Sequence, residues 1–178
     1  MESIASKIWK KSNLWGVVNM ILVTVGASRQ FDRLIESVDK LIAEGIIKEK
    51  VIMQINNGKY IPKNAKWFRF KKQDNLIKLA KKARFLIVHG GIGSVGLAIS
   101  LRKKAIAVPR LKKFDEAIND HQFQIIKEFA KEKKIIPSYE VADLKEAIGK
   151  IKTFKPNFTK EENKLRGLIL QFIAKMQK

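Results

Sequence analysis

Residues 83–99 read ARFLIVHGGIGSVGLAI, and how this stretch is interpreted decides the fold. Phe85–Val88 is a short apolar run with charge before it and Gly90 and Gly91 after it. Its length and β-branched content suit a buried parallel strand better than a helix. The chain then turns on glycines, and Ser94 occupies the position expected of a helix N-cap. Strand, glycine turn and helix in that order aim free backbone N–H groups and the positive end of a helix dipole at one point, where a phosphate can sit. A glycine there lets a diphosphate approach the backbone, since no Cβ intervenes. The stretch is read as the cradle of a nucleotide diphosphate.

Working outward, strands and helices alternate on both sides. Met20–Val25 is expected as a strand that ends in Gly26, Ala27 and Ser28. Phe31–Ala43 carries Phe31, Leu34, Ile35, Val38, Leu41 and Ile42 on one side of a helix, which Gly45 stops. Further strands are expected at Val51–Ile55, Lys66–Phe70, Ala105–Val108 and Ile135–Ile136. Helices are expected at Asp74–Lys82, after Ser94, from Asn119 to Glu132, and from Ala142 to Lys150. Arg110–Ile118 reads as an irregular basic loop. This alternation implies right-handed crossovers and a Rossmann-like parallel sheet with helices on both faces. Ligands of such sheets lie beyond the C-terminal strand ends. Four loops should therefore ring one crevice: 26–29, 56–60, 89–94 and 110–122.

Residues 20–152 are read as the nucleotide-binding domain, 1–19 as an extension and 153–178 as a C-terminal helix packing on the domain or a partner. In the extension, Ile4, Ile8, Trp9 and Trp15 interleave with Lys7, Lys10 and Lys11, as in an interfacial helix. The uncharged run 12–28 is too short to span a membrane, and cleaving it as a signal peptide would remove a strand that the fold needs. A cytoplasmic protein is expected. The chain has 37 Lys and Arg against 17 Asp and Glu, a net charge of +20, which predicts anionic partners. Much of that charge falls in pairs such as Lys71-Lys72, Lys81-Lys82 and Lys112-Lys113, as on solvated helix faces. With no cysteine and only two histidines, His89 and His121, a thiolate or histidine metal site is not expected.

Gly91, Gly93 and Gly96 also satisfy the dinucleotide fingerprint G-x-G-x-x-G, so a nicotinamide enzyme is an alternative. The fingerprint normally belongs to the first strand–helix turn, however, and here it sits mid-chain. The next strand ends at Arg110 with no acid for a ribose hydroxyl. A basic nucleotide- or RNA-binding module explains the charge but not the glycine loop, and no aromatic RNA-recognition pattern appears. Nucleic acid is not the expected partner.

Four motifs in order, VTVGASRQFDRLIESVDKL, QINNGKYIPKN, FLIVHGGIGSVGLAI and AVPRLKKFDEAINDHQ, carry a resemblance to the glycosyltransferase family 28 C-terminal domain. More narrowly, the chain resembles the small subunits of two-component glycosyltransferases, both of the dolichol-pathway N-acetylglucosaminyltransferase and of bacterial exopolysaccharide β-glycosyltransferases. The resemblance implies a GT-B C-terminal half and a hexosyltransferase activity that transfers a sugar from UDP, with inversion, to a lipid diphosphate-linked acceptor at the cytoplasmic membrane face. It implies a membrane-anchored, acceptor-binding partner subunit, no cofactor and no bound metal, with UDP-GlcNAc or a UDP-hexose as the donor substrate. This chain would then sit peripherally at the inner face of the membrane through its partner.

By that resemblance Gly90, Gly91, Gly93 and Ser94, with His89 before them, match the diphosphate loop; as bare residues they are a tight turn. Asp120, His121 and Gln122 match an Asp-x-x-Gln or Asp-His-Gln element that holds sugar hydroxyls, although Asp120 equally suits a helix N-cap. Gly26 and Ala27 match the loop facing the donor and the acceptor half. Gln54 and Gly58 match a structural turn, and the backbone near Arg69 and Phe70 would meet the uracil. Arg110, with Lys112 and Lys113, is a candidate to neutralise UDP or an acidic headgroup. The acceptor hydroxyl needs a base. His121, Asp120 and, less well, His89 are the candidates in this chain, with the partner expected to supply it. Many relatives carry a ribose-binding Glu where this chain has Leu97.

Overall fold

In the computed structural model residues 19–158 are described; the expectations for 1–18 and for 159–178 lie outside them. The elements are β1 (Met20–Thr24), α1 (Asp32–Ala43), β2 (Lys50–Gln54), β3 (Lys66–Phe68), α2 (Gln73–Lys82), β4 (Phe85–His89), α3 (Ile92–Ser100), β5 (Lys104–Val108), α4 (His121–Lys131), β6 (Ile136–Pro137) and α5 (Leu144–Ile151). The six strands form one sheet in the order β3-β2-β1-β4-β5-β6, and every pairing is parallel.

The central strands are apolar without alternation because both faces are covered. All five residues of β1 and all five of β4 are buried. Ile21, Val23, Phe85, Ile87, Ile106 and Val108 pack on one face with Leu34, Ile35 and Val38 of α1 and Leu144 and Ile148 of α5. Leu22, Leu86, Val88, Ala105 and Ala107 pack on the other with Ala80 of α2, Val95 and Ala98 of α3 and Ile126 of α4. The register sets Ile21 beside Val51 on one side and beside Phe85 on the other, so each layer is continuous across the sheet.

Most expected boundaries hold to within two residues. Gly45 ends α1 as anticipated. Its φ is +71°, and its N–H donates to the Ile42 carbonyl while that of Ile46 donates to Leu41. One expectation fails: α3 begins at Ile92 with Gly91 as its N-cap, so Ser94 lies inside the first turn and its side chain caps nothing. The helix starts earlier because β4 runs straight into Gly90, whose N–H is held by the Val108 carbonyl at 3.0 Å.

The long connection from β2 to β3 is tied to α1 by one buried carboxylate. Asp39 accepts hydrogen bonds from the Tyr60 hydroxyl at 2.8 Å and from the backbone N–H groups of Lys63 at 2.9 Å and Asn64 at 2.8 Å. Asp39→Ala strands these donors and should lower unfolding free energy by about 3 kcal/mol in urea melts; a loss below ~1 kcal/mol would show that the loop holds itself.

Candidate functional site

In this strand order the connections run one way from β1 and the opposite way from β4, so the crevice opens beyond the C-terminal ends of those two neighbours. His89, the last residue of β4, lies at its floor. Its imidazole fills the space between two glycines. A Cβ on Gly26 would lie 2.4 Å from His89 Cε1, and a Cβ on Gly91 would lie 2.4 Å from His89 Nε2. Gly26 also has φ +71°, which L side chains rarely adopt. His89 is 9% exposed, and its Nδ1 is buried without a hydrogen-bond partner. Burial, and then the positive charge of Arg110, push its pKa down to about 3. It is a neutral imidazole at physiological pH.

The glycines of the loop divide by what surrounds them. A Cβ on Gly90 would meet Ile126 Cδ1 at 2.6 Å and Gln122 Cβ at 3.1 Å, so Gly90 is required by α4. Gly91 is required by His89. Only Gly93 faces open space, with nothing within 4 Å of its Cβ position. The sequence reading, in which absent Cβ atoms make room for a diphosphate, therefore applies at Gly93; at Gly90 and Gly91 the room is taken by protein. The N–H groups of Ser94 and Val95 both donate to the Gly91 carbonyl, at 3.0 and 3.1 Å. The donors ahead of them, on Ile92 and Gly93, are those the helix itself leaves open, and both residues are exposed.

Arg110 lies elsewhere than the sequence suggests. Read as a cation facing the ligand, it is 1% exposed and runs beneath the loop after β1. Its guanidinium donates to the backbone carbonyls of Val25 and Arg29 and, at 3.2 Å, to Ser28 Oγ. Burial lowers its pKa to about 10; Glu116 opposes that shift and Arg29 adds to it. It is a strap for the loop, because strand β5 delivers it directly under β1's end.

Gln122, in the first turn of α4, accepts from the Arg110 backbone N–H at 3.0 Å and lies against Gly90. Asp120 is at the N-cap position but caps nothing with its side chain. Its Oδ1 accepts from the Lys112 N–H at 3.1 Å, while Asn119 Oδ1 receives the His121 N–H. Asp120 and Gln122, read as one element, thus face different ways. Asp120 lines an open groove of about 390 Å³ with Leu111, Lys113, Phe123, Gln124 and Glu140. His121 is exposed, its Nδ1 3.3 Å from Gln124 Oε1. Ala27 is exposed at the tip of the β1 loop. Leu97 is buried in the layer under α3. Arg69 is committed to the carbonyls of Asn56 and Gly58, at 2.8 and 3.0 Å.

Sequence reasoning missed the pair that shapes the 110–122 loop. Arg33 of α1 grips the buried Glu116 through two parallel bonds of 3.0 and 2.9 Å and reaches the Pro109 carbonyl at 3.2 Å. Glu116 Oε2 also accepts the Leu111 N–H at 3.1 Å. The only signal was an acid within a basic loop. Among the described residues no group of three His, Cys, Asp or Glu side chains is placed to hold a metal ion.

A six-stranded parallel sheet in this order, with its crevice at the β1–β4 junction, defines a Rossmann-like domain of the GT-B C-terminal type. Solved structures share it. The chain is 19% identical to ALG13 in an NMR solution structure, covering 82% of this chain and 91% of that one with a TM-score of 0.56. It is 14% identical to the glycotransferase of kitacinnamycin, covering 86% and 38% with a TM-score of 0.55. It is 16% identical to MurG of Acinetobacter baumannii, covering 82% and 43% with a TM-score of 0.53. The chain thus spans less than half of the latter two proteins. No curated protein sequence matches. The model of the glycosyltransferase family 28 C-terminal domain matches residues 20–176, and the chain belongs to that family.

Two outcomes follow from the wedge at His89. Gly26→Ala and Gly91→Ala should each lower the melting temperature by several degrees, corresponding to about 2 kcal/mol, whereas Gly93→Ala should not lower it. Stability should also depend on pH through His89. The folded pKa of about 3 lies below the ordinary 6.5, so its stabilising contribution is complete above pH 6.5 and is lost as pH falls toward 3. Urea melts should show a loss of up to about 1.4 kcal/mol per pH unit in that window, flattened in His89→Asn.

Proposed function

We propose that this chain is the donor-binding subunit of an inverting UDP-sugar glycosyltransferase, a hexosyltransferase using UDP-GlcNAc or a UDP-hexose. The observation that carries it is the open N-terminus of α3 at the β1–β4 junction, with the neutral, buried ring of His89 packed against Gly91 before it. Two backbone N–H groups and the helix dipole supply fixed positive potential without a mobile cation, which suits a diphosphate that gains charge as it leaves. The UDP diphosphate is assigned to Ile92, Gly93 and Ser94, and the sugar to the side of Gln122, Asp120 and His121. Gln122 Oε1 is engaged by Arg110, so its amide N–H group is what it offers to a sugar hydroxyl. No cofactor is needed in this scheme, and the donor is the substrate.

The acceptor, a lipid diphosphate-linked sugar at the cytoplasmic membrane face, is assigned to a membrane-anchored partner subunit. Two observations support the assignment: this chain spans less than half of MurG yet nine-tenths of ALG13, and its crevice is open on one side. His89 is a poor base, because an imidazole with a pKa near 3 is too weakly basic to take a hydroxyl proton near pH 7. His121, which is exposed, and Asp120, which lines the open groove, are the other candidates in this chain, and the partner is the expected source of the base.

Calorimetric titration with UDP is expected to show one site. Gly93→Ala, which the fold accommodates, should weaken UDP about tenfold by setting a methyl group beside the open N–H groups. Co-expression with a membrane-anchored subunit, assayed with several UDP-sugars, should give transfer that neither chain gives alone. Absent UDP binding, or Gly93→Ala binding as tightly as the parent, would remove the proposal.

A further inference from the structure

The lysines of α2 are not scattered around the helix. Lys71, Asn75, Lys78, Leu79 and Lys82 line one open depression of about 240 Å³ along its outer side, and that lining contains three lysines and no acid. At 100° per residue, positions 75, 78 and 82 of the helix fall within about 60° of one another. Lys72 and Lys81 flank the stripe, and Asp74 is the one acid of the helix. Lys71 and Lys72 precede the helix N-terminus, where cations meet the positive end of the dipole and cost stability. Such an arrangement is self-repelling unless an anionic surface lies against it.

Apolar groups adjoin the charge. Phe70 is 54% exposed at the rim, and Lys71 Nζ lies 4.7 Å above the ring of Phe68. The register sets Lys66 and Phe68 beside Ile52 and Gln54, on the sheet face that α2 covers. Blunting the edge strand β3 against other strands needs a charge on the strand itself, not a stripe down the neighbouring helix. Because the sheet is parallel, the segment Arg69–Lys72 emerges at the same end as the glycine loop.

We propose that this face docks on a bilayer containing anionic lipid: Lys71, Lys78 and Lys82 contact headgroup phosphates, and Phe70 enters the interface. Lysine with an exposed phenylalanine suits a headgroup layer. A nucleic-acid groove would call for available guanidinium groups, and Arg69, the arginine at this rim, is committed to the carbonyls of Asn56 and Gly58. The contact would be made by this chain itself, in addition to any partner, and would hold the crevice mouth beside the membrane.

Cosedimentation of the full chain with vesicles of phosphatidylcholine, alone or mixed with phosphatidylglycerol, tests it at ~0.15 M salt. Binding should require phosphatidylglycerol. The triple variant Lys71→Gln, Lys78→Gln, Lys82→Gln should bind on the order of 100-fold more weakly, at about fivefold per lysine. A control with the same charge loss elsewhere, Lys48→Gln, Lys145→Gln, Lys152→Gln, should bind within about twofold of the parent, since those side chains lie away from this face. Phe70→Ser should weaken the binding that survives high salt. UDP affinity should be unchanged in the two lysine triple variants, so loss of vesicle binding and loss of donor binding are read separately. The proposal is overturned if the parent ignores anionic vesicles, if the control falls as far as the triple variant, or if the same lysines prefer a single-stranded oligonucleotide to vesicles.

Discussion

The close approach of His89 to Gly26 and Gly91 is the constraint on which the rest of the structure depends. A parallel sheet whose crossovers diverge leaves a cleft where they part, and the loops on its two sides share no secondary structure. Here one buried imidazole spans the cleft, touching the positions where either glycine would carry a Cβ. It fixes the spacing of the β1 and β4 loops and thereby the direction in which the first turn of α3 points. The cost is a polar ring held in a site that disfavours its charged form.

A second constraint bears on why, under the proposed function, a chain of net charge +20 would meet an anion with backbone. The cations nearest the crevice are already engaged. Arg110 straps the β1 loop from below, and Arg33 with Glu116 sets the course of the 110–122 loop. Breaking either would leave a buried charge or several carbonyls without partners, a larger penalty than the loss of an exposed ion pair. With these arginines spent on geometry, the N-terminus of α3 is a fixed source of positive potential at the cleft. The lysine excess sits instead on outer helix faces such as that of α2.

The sheet was readable in the sequence because its signals are local and redundant. FLIV at 85–88, the amphipathic α1 and the stop at Gly45 each specify their element without help from distant residues, and their spacing permits little but a parallel sheet. The site was readable only in part. Gly90, Gly91 and Gly93 look alike in sequence, yet their reasons differ, and two of the reasons lie on other elements, Ile126 of α4 and the ring of His89. Arg110 was misplaced for the same reason: a basic residue after a strand-ending proline carries no mark of whether it turns up to solvent or under a neighbouring loop. Glu116 and Arg33, 83 residues apart, show no covariation within a single sequence. The element 120–122 was found as a motif, but its division between groove and glycine loop is a matter of helix phase at α4's start.

That division bears on how the two ends of a sugar nucleotide would be held. Gln122 is bonded to Arg110, Arg110 to the loop after β1, and that loop abuts His89, which supports the first turn of α3. Gln122, among the groups assigned to the sugar, is therefore joined to the diphosphate loop through a connected set of contacts, whereas Asp120 and His121 stand apart from it. A ligand engaging both ends would draw on geometry that is already in place, so less of its binding energy would be spent on ordering the site. Under the proposed function the catalytic base is the component least provided for here: the buried histidine is too weakly basic, and the other, His121, is exposed beside Gln124. The proposed partner subunit is then the expected source of the group that takes the acceptor's proton.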